Sequence, residues 1–269
     1  MNPFQALILG LVQGTTEFVP VSSSGHLVLV PWLLRWPEPG LAFDITLHWG
    51  TLIAVVVVFW RDLWRLAVAW LRSLRSRSLA ETEARIAWWI ILGTVPGMVF
   101  GLILNDPLER LFSAPVTVAV LLLVTAAILA LSERWGHRTR DLADMTWMDA
   151  LLIGVGQAVA IMPGISRSGA TIASGLLRGL KRETAARFSF LLSMPIILGA
   201  GLPQLLDVAQ AGDFVTQLPV LALGFVAAAL SGYLCIRFLL NFLQGHRLYV
   251  FAAYCAVAGI VCLGVALIR

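Results

Sequence analysis

Apolar residues in this chain come in long runs, and short clusters of charge separate one run from the next. Phe43 to Trp60, Ile86 to Leu104, Val116 to Leu131, Phe188 to Leu206, Leu218 to Ile236 and Leu248 to Ile268 are such runs. Each comes close to the roughly 20 helical residues needed to cross a hydrocarbon core of about 30 Å, so each predicts a membrane helix. The block Trp147 to Leu177 is different: PGISRSG breaks it in the middle. Basic residues follow it as they precede it, which excludes one crossing, and its length is too short for two with a turn, so it is expected to dip into the membrane and return.

The placement of charge gives the runs a direction. Arg61 to Arg85, Arg134 to Arg140, Arg178 to Arg187, and the pair Arg237 and Arg247 together hold 15 of the 19 basic residues. Placing these loops in the cytoplasm leaves Arg35, Arg110 and Arg269 outside and Arg167 within the membrane, the asymmetry expected of a membrane protein. NDPLERLFSAP and DVAQAGD become external turns. Both flanks of Trp147 to Leu177 are basic, so that block begins and ends on one side.

A shift of 144 residues lays ALILGLVQGTTEFVPVSSSGH over ALLIGVGQAVAIMPGISRSGA without a gap. Gln13 falls on Gln157, Ser22 on Ser166, Ser24 on Ser168 and Gly25 on Gly169. The opening stretch is then also a re-entrant hairpin, and each half is a hairpin followed by three crossings. Three is odd, so the second half is inverted relative to the first, an architecture known for binding polar ligands inside membranes. The expected fold is an all-α polytopic membrane protein with six transmembrane helices, two re-entrant helical hairpins and an inverted-topology repeat. It forms a single membrane domain over residues 1–269, with halves at about 1–140 and 145–269.

Composition agrees: 59% of the 269 residues are hydrophobic and 13% charged, against about 25% charged in soluble domains. The mean hydropathy is +0.88. The N-terminal MNPFQALILGLVQG lacks a basic leader and a small-residue cleavage site, so no signal peptide is expected. Cys235, Cys255 and Cys262 lie in late apolar runs without metal-like spacing and read as small core residues. His137 and His246 fall in basic loops and read as solvated. The net charge of +4 follows from the cytoplasmic loops, and no nucleic-acid partner is expected. The oligomeric state is open, a homodimer being one possibility.

Polar residues inside apolar runs carry the candidate chemistry, because burying them unpaired costs several kcal/mol each. Gln13 and Glu17 stand four apart and share one helix face, so they can address one ligand or ion together. Pro20 ends that helix, and Ser22, Ser23 and Ser24 are natural caps for a second one beginning near Gly25 and His26. A helix start of this kind presents free N–H groups to an anion. The second hairpin repeats the device with Pro163 and Gly164 as the break and Ser166, Ser168 and Gly169 at the turn, and it carries Arg167 in the place of Ser23. A guanidinium in a membrane interior requires an anionic partner, and phosphate fits its fork of donors. Two helix starts and one arginine suit a polyanion, with pyrophosphate the foremost candidate. Asp44 and His48 are also four apart and either face the same pocket or reach back to the interface.

QGTTEFVPVSSSGH resembles the (E/Q)xxxE and PxSSxGH signatures of the undecaprenyl-diphosphate phosphatase family, which confers bacitracin resistance, and PGISRSGAT resembles its PGxSRSGAT signature. RFSFLLSMP and FDITLHWGTLIAV are similar to it as well, so the resemblance spans essentially the whole chain. It implies hydrolysis of undecaprenyl diphosphate to undecaprenyl phosphate and inorganic phosphate in the bacterial inner membrane, recycling the lipid carrier of cell-wall synthesis; the topology read from the basic loops opens the first hairpin, and with it the site, to the periplasmic side. It also implies help from a divalent cation, Mg²⁺ or Ca²⁺. By position, Glu17 belongs to the acidic metal or catalytic motif, Ser23 and His26 to the nucleophile or acid–base pair, and Arg167 to diphosphate binding. Ser22, Ser24, Gly25, Ser166, Ser168, Gly169 and Thr171 would line the substrate, and Glu17 with Gln13 would hold the cation. Many relatives have Glu where this chain has Gln13, which leaves one charge fewer for a metal cage. Spacing admits either Ser23 or His26 as the attacking group, and the usual pairing of nucleophile with base favours Ser23.

Each residue also has a plainer role: Glu17 as a structural acceptor, Ser22 and Ser24 as caps, Arg167 as the structural partner of Glu17. The rival function is a transporter or flippase that moves a polyprenyl phosphate through the same pocket without cleaving it.

Overall fold

A computed structural model describes residues 1–103, 114–210 and 214–269, with residues 204–210 and 214–216 described by backbone course alone. Arg110, most of the turn NDPLERLFSAP and the end of DVAQAGD lie outside the described residues. The described chain forms ten α-helices: α1 (Pro3–Phe18), α2 (Ser23–Leu34), α3 (Leu41–Ser76), α4 (Thr82–Ile103), α5 (Pro115–Trp135), α6 (Trp147–Val159), α7 (Arg167–Leu177), α8 (Arg182–Gln210), α9 (Phe214–Gly245) and α10 (Tyr249–Ile268). Among the described residues there is no strand, only an isolated bridge between Arg140 and Leu180. Six helical stretches are long and apolar enough to cross a membrane: Leu41–Ser76, Thr82–Ile103, Pro115–Trp135, Arg182–Pro203, Gln217–Gly245 and Tyr249–Ile268. The protein is a multi-pass membrane protein. The basic stretch after Trp60 is largely not a loop, because α3 continues as a helix to Ser76.

The other four helices are too short to cross. At about 1.5 Å per residue, the 16 residues of α1, 12 of α2, 13 of α6 and 11 of α7 reach about 24, 18, 20 and 16 Å. α1 packs against α2, and α6 against α7, so each pair is a hairpin. The two hairpins are built by the same local devices 144 residues apart. Asn2 and Gln5 form a capping box that starts α1, and Thr146 and Asp149 form one that starts α6. Ser22 Oγ accepts from Gly25 N to start α2, and Ser166 Oγ accepts from Gly169 N to start α7. The breaks use unusual backbone: Ser22 stands at φ +72° and Gly164 at φ +101°. A side chain on Gly164 would also collide with Val118 O, 2.6 Å from its Cβ position.

Each hairpin returns to where it began. Phe4 near the start of α1 packs edge-on against Trp36 just past α2, with ring centroids 6.3 Å apart. Arg140 before α6 and Arg178 after α7 both pair with Asp149, at 2.7 Å each.

Small residues bring the helices close, as membrane interfaces require. α1 lies along α9 with Gly10 against Gly224 and Ala227, and Gly14 against Ala228, Ser231 and Gly232. α3 follows the same groove, with Phe43 and Leu47 against Gly224 and Ala54 against Gly232. Residue numbers rise together in these contacts, so α1, α3 and α9 run parallel. By the same reasoning α6, α4 and α8 run parallel, since Gly93 meets Ala150 and Leu192 while Gly97 meets Gln157 and Ile196. α3 and α8 run oppositely: Trp49 meets Gly201, Phe59 meets Phe190, and Asp62 meets Arg187. The hairpins are therefore opposed in direction and their tips touch, with Pro20 against Gly169, Gly25 against Gly164, and Ser168 Oγ donating to Val19 O at 3.2 Å. α5 and α10 pack on one another beside the tips, where Gly259 admits Ala119 and Leu123.

Charge gathers at one end. Buried Glu133 accepts from Arg138, Arg182 and the backbone N–H of Leu248, which ties α5, α8 and α10 together. Hydrogen bonding to Asp149 holds the Arg140 guanidinium above its ordinary pKa, so that pair stays ionised. Buried carboxylates need partners of this kind, and loss of one partner leaves an uncompensated charge.

Candidate active site

The site forms where the two tips meet, and Glu17 is its centre. It ends α1 in a buried position, with Gln13 one turn before it and Pro20 forcing the chain out of the helix just after. Gln13 Nε2 donates to Glu17 Oε2 at 3.0 Å. Ser23 Oγ, the first residue of α2, donates to the same oxygen at 2.5 Å. Arg167, the first residue of α7, donates from Nη2 to Glu17 Oε1 at 2.5 Å. His48 Nε2 on α3 stands 3.9 Å from Glu17 Oε2, while its Nδ1 faces Asp44 O at 2.8 Å. One carboxylate thus gathers groups from both hairpins and from α3.

Arg167 is braced from α8 as well, since Nη1 donates to Ser189 O at 3.3 Å. Ser189 Oγ lies 2.6 Å from Thr171 Oγ1, which itself donates to Arg167 O. The hydroxyls of Ser22 and Ser24 lie 3.3 Å apart, and those of Ser166 and Ser168 lie 3.2 Å apart. Ser22 and Ser166 are caps, each hydroxyl taking up the N–H of the glycine three residues on, so α2 and α7 both start where the tips meet.

His26 points elsewhere. Its Nδ1 lies 2.8 Å from Ser22 O and its Nε2 lies 2.7 Å from Tyr254 Oη on α10. The hydroxyl of Ser23 bonds Glu17 rather than His26.

On α1 and α3, Gln13 Oε1 and, one turn before His48, Asp44 Oδ1 are buried without a partner. No group of three or more His, Cys, Asp or Glu side chains able to hold a metal exists among the described residues. The donor set suits a hard cation only in part, with one carboxylate and one free amide oxygen, so the remaining ligands would have to be substrate oxygens.

The chain matches the model of a known family, described as bacitracin resistance protein BacA, over residues 6–261. It belongs to that family. It is 45% identical over 271 residues to the undecaprenyl-diphosphatase of Thermomicrobium roseum, covering 98% of each chain. It is also 45% identical over 271 residues to that of Desulforudis audaxviator, covering all of both. The undecaprenyl-diphosphatase of Moorella thermoacetica is 44% identical over 254 residues, 94% of each chain.

Within this BacA-family chain three neighbours of the site carry no motif of their own. Ser189 stands inside RFSFLLSMP, where nothing local marks it apart from Ser193. Thr125 Oγ1 donates to Gly164 O at 2.9 Å and accepts from Ser166 N at 3.0 Å, pinning the second tip from α5. Tyr254 had one visible signal: it is a tyrosine within α10, away from the helix end where Tyr249 sits.

Proposed function

We propose that this chain hydrolyses undecaprenyl diphosphate to undecaprenyl phosphate and inorganic phosphate in the bacterial cytoplasmic membrane, and so returns the lipid carrier to cell-wall synthesis and confers bacitracin resistance. The convergence of Ser23, Arg167 and two helix starts on one buried carboxylate carries this reading, together with the names of the relatives. The terminal phosphate would lie between the tips, where Arg167 exchanges its contact with Glu17 for one with phosphate oxygen. Ser23 Oγ attacks the terminal phosphorus, its proton passes to Glu17, and the bridging P–O bond breaks to release the lipid phosphate. Water then attacks the phosphoserine and gives a proton to His26, Glu17 returns its proton to the departing Ser23 oxygen, inorganic phosphate leaves, and His26 releases its proton to solvent. Positioning and charge neutralisation supply most of the rate in such transfers. A Mg²⁺ or Ca²⁺ held by Glu17 and Gln13 Oε1, when bound, neutralises diphosphate oxygens.

We place α1–α2 as the re-entrant hairpin that opens outward and α6–α7 as its inverted counterpart opening to the cytoplasm, with the site reached from the periplasmic side. The basic loops and the opposed directions of α1 and α6 support that orientation. The opposed hairpins also favour a second reading, movement of the lipid phosphate across the membrane. A phosphate-release assay on purified protein in detergent, with cation and with chelator, separates the two. Release dependent on Ser23 and Arg167 is expected; no release with cation present, while lipid phosphate still crosses a liposome bilayer, would leave only the transporter.

A further inference from the structure

Tyr254 bonds the one nitrogen of His26 that can accept a proton. Ser22 O can only accept, so the proton of neutral His26 resides on Nδ1, which lies 2.8 Å from it. Nε2 then carries the lone pair, and Tyr254 Oη–H donates to it at 2.7 Å. The two rings lie nearly parallel, 13° apart with centroids separated by 5.7 Å. Ser22 is itself held at φ +72°, so the ring is fastened to an unusual backbone on one side and to a neighbouring span on the other.

The placement of Tyr254 in the fold is as telling as the contact. α10 is otherwise apolar, and apart from Tyr249 at its first position Tyr254 supplies the only hydroxyl in it. Tyr254 is 47% exposed on the outer surface of the bundle, whereas His26 is 9% exposed. The next residue, Cys255, is buried beside the Pro20 carbonyl, so this turn of α10 lies against the tip of the first hairpin.

We propose that Tyr254 is a positioning residue for hydrolysis: it holds His26 in the Nδ1–H tautomer with Nε2 fixed toward α10, and it must hand that nitrogen over to the reacting water. The proposal rests on the reading that His26 takes a proton during turnover. A hydroxyl that served only helix packing would act without regard to His26, which makes the two roles separable.

The test is a double-mutant cycle on the purified full chain, with kcat and KM measured for wild type, Tyr254→Phe, His26→Ala and the double variant. Tyr254→Phe should lower kcat about tenfold with KM within about twofold, and should cost nothing further once His26 is alanine, because coupled residues are not additive. The same cost in both backgrounds, or a Tyr254→Phe kcat within about twofold of wild type, would overturn the proposal. The ¹⁵N resonance of His26 Nε2 gives a readout independent of turnover: in Tyr254→Phe it should move toward the value of an unbonded lone pair, and an unmoved resonance overturns the positioning role. If His26→Ala keeps full activity, the assignment of His26 to the chemistry fails, while the resonance still decides what holds the ring.

Discussion

Glu17 is buried with three donors on its two oxygens, and this fixes what substitutions around it should do. Arg167→Ala removes the one guanidinium at the junction and strands the carboxylate. A donor lost from a site that stabilises developing charge costs about 10²–10³ in rate, and a fall of that order in kcat/KM is expected from phosphate release. Near-normal kinetics would remove Arg167 from the site. Gln13→Glu acts differently, because Gln13 Nε2 now donates to Glu17 and a carboxylate there would face a carboxylate. A divalent cation between them relieves the repulsion, so the variant should reach half-maximal activity at a lower Mg²⁺ or Ca²⁺ concentration than wild type. Loss of activity at every cation concentration would show that the position is not a ligand. The Gln13–Glu17 pair is legible in sequence, since four residues make one helical turn. The bond from Ser23 to Glu17 is not, because it closes across the Pro20 break, and Tyr254 reaches His26 from 228 residues away.

Elements hold these residues by close approach of backbones. α1 is too short to gain its place by spanning, and it is fixed instead by contact of Gly10 and Gly14 with α9. A Cβ on Gly14 would stand 2.0 Å from Ser231 Oγ and 2.5 Å from Ala228 O, and the backbone oxygen cannot turn aside. Gly14→Leu should therefore destabilise the fold by about 1–3 kcal/mol or more and displace Glu17, one turn further along. The checks are the melting temperature in detergent and phosphate release, and a variant that melts as wild type would show that α1 does not rest on this contact. The hairpins themselves are readable from S-x-S-G and the flanking prolines, since caps and breakers act locally. Their packing partners are not, because glycines that meet across α1 and α9 lie more than 200 residues apart and nothing local links them.

At the scale of the whole molecule, the site exists only because two hairpins of opposite direction are brought tip to tip. Charge at the rims bears on which way each one opens. Asp149 joins Arg140 and Arg178 where the second hairpin begins and ends, among the basic residues that sequence places in the cytoplasm. The first hairpin closes on Phe4 and Trp36, near Arg35 and the C-terminal Arg269, whose guanidinium donates to Trp32 O and Leu33 O. If the halves are inverted, the exposed residues Glu38 and His137, beside the two mouths, lie on opposite sides of the membrane. Single cysteines at the two positions test this, because Cys235, Cys255 and Cys262 are buried and contribute little background. In intact cells a membrane-impermeant maleimide should label Glu38→Cys at once and His137→Cys only after lysis. Labelling of both from outside would place both mouths on one face. The opposed helices would then have to be reconciled with a different path through the bilayer, and the periplasmic access proposed for the lipid diphosphate would fall with the inversion.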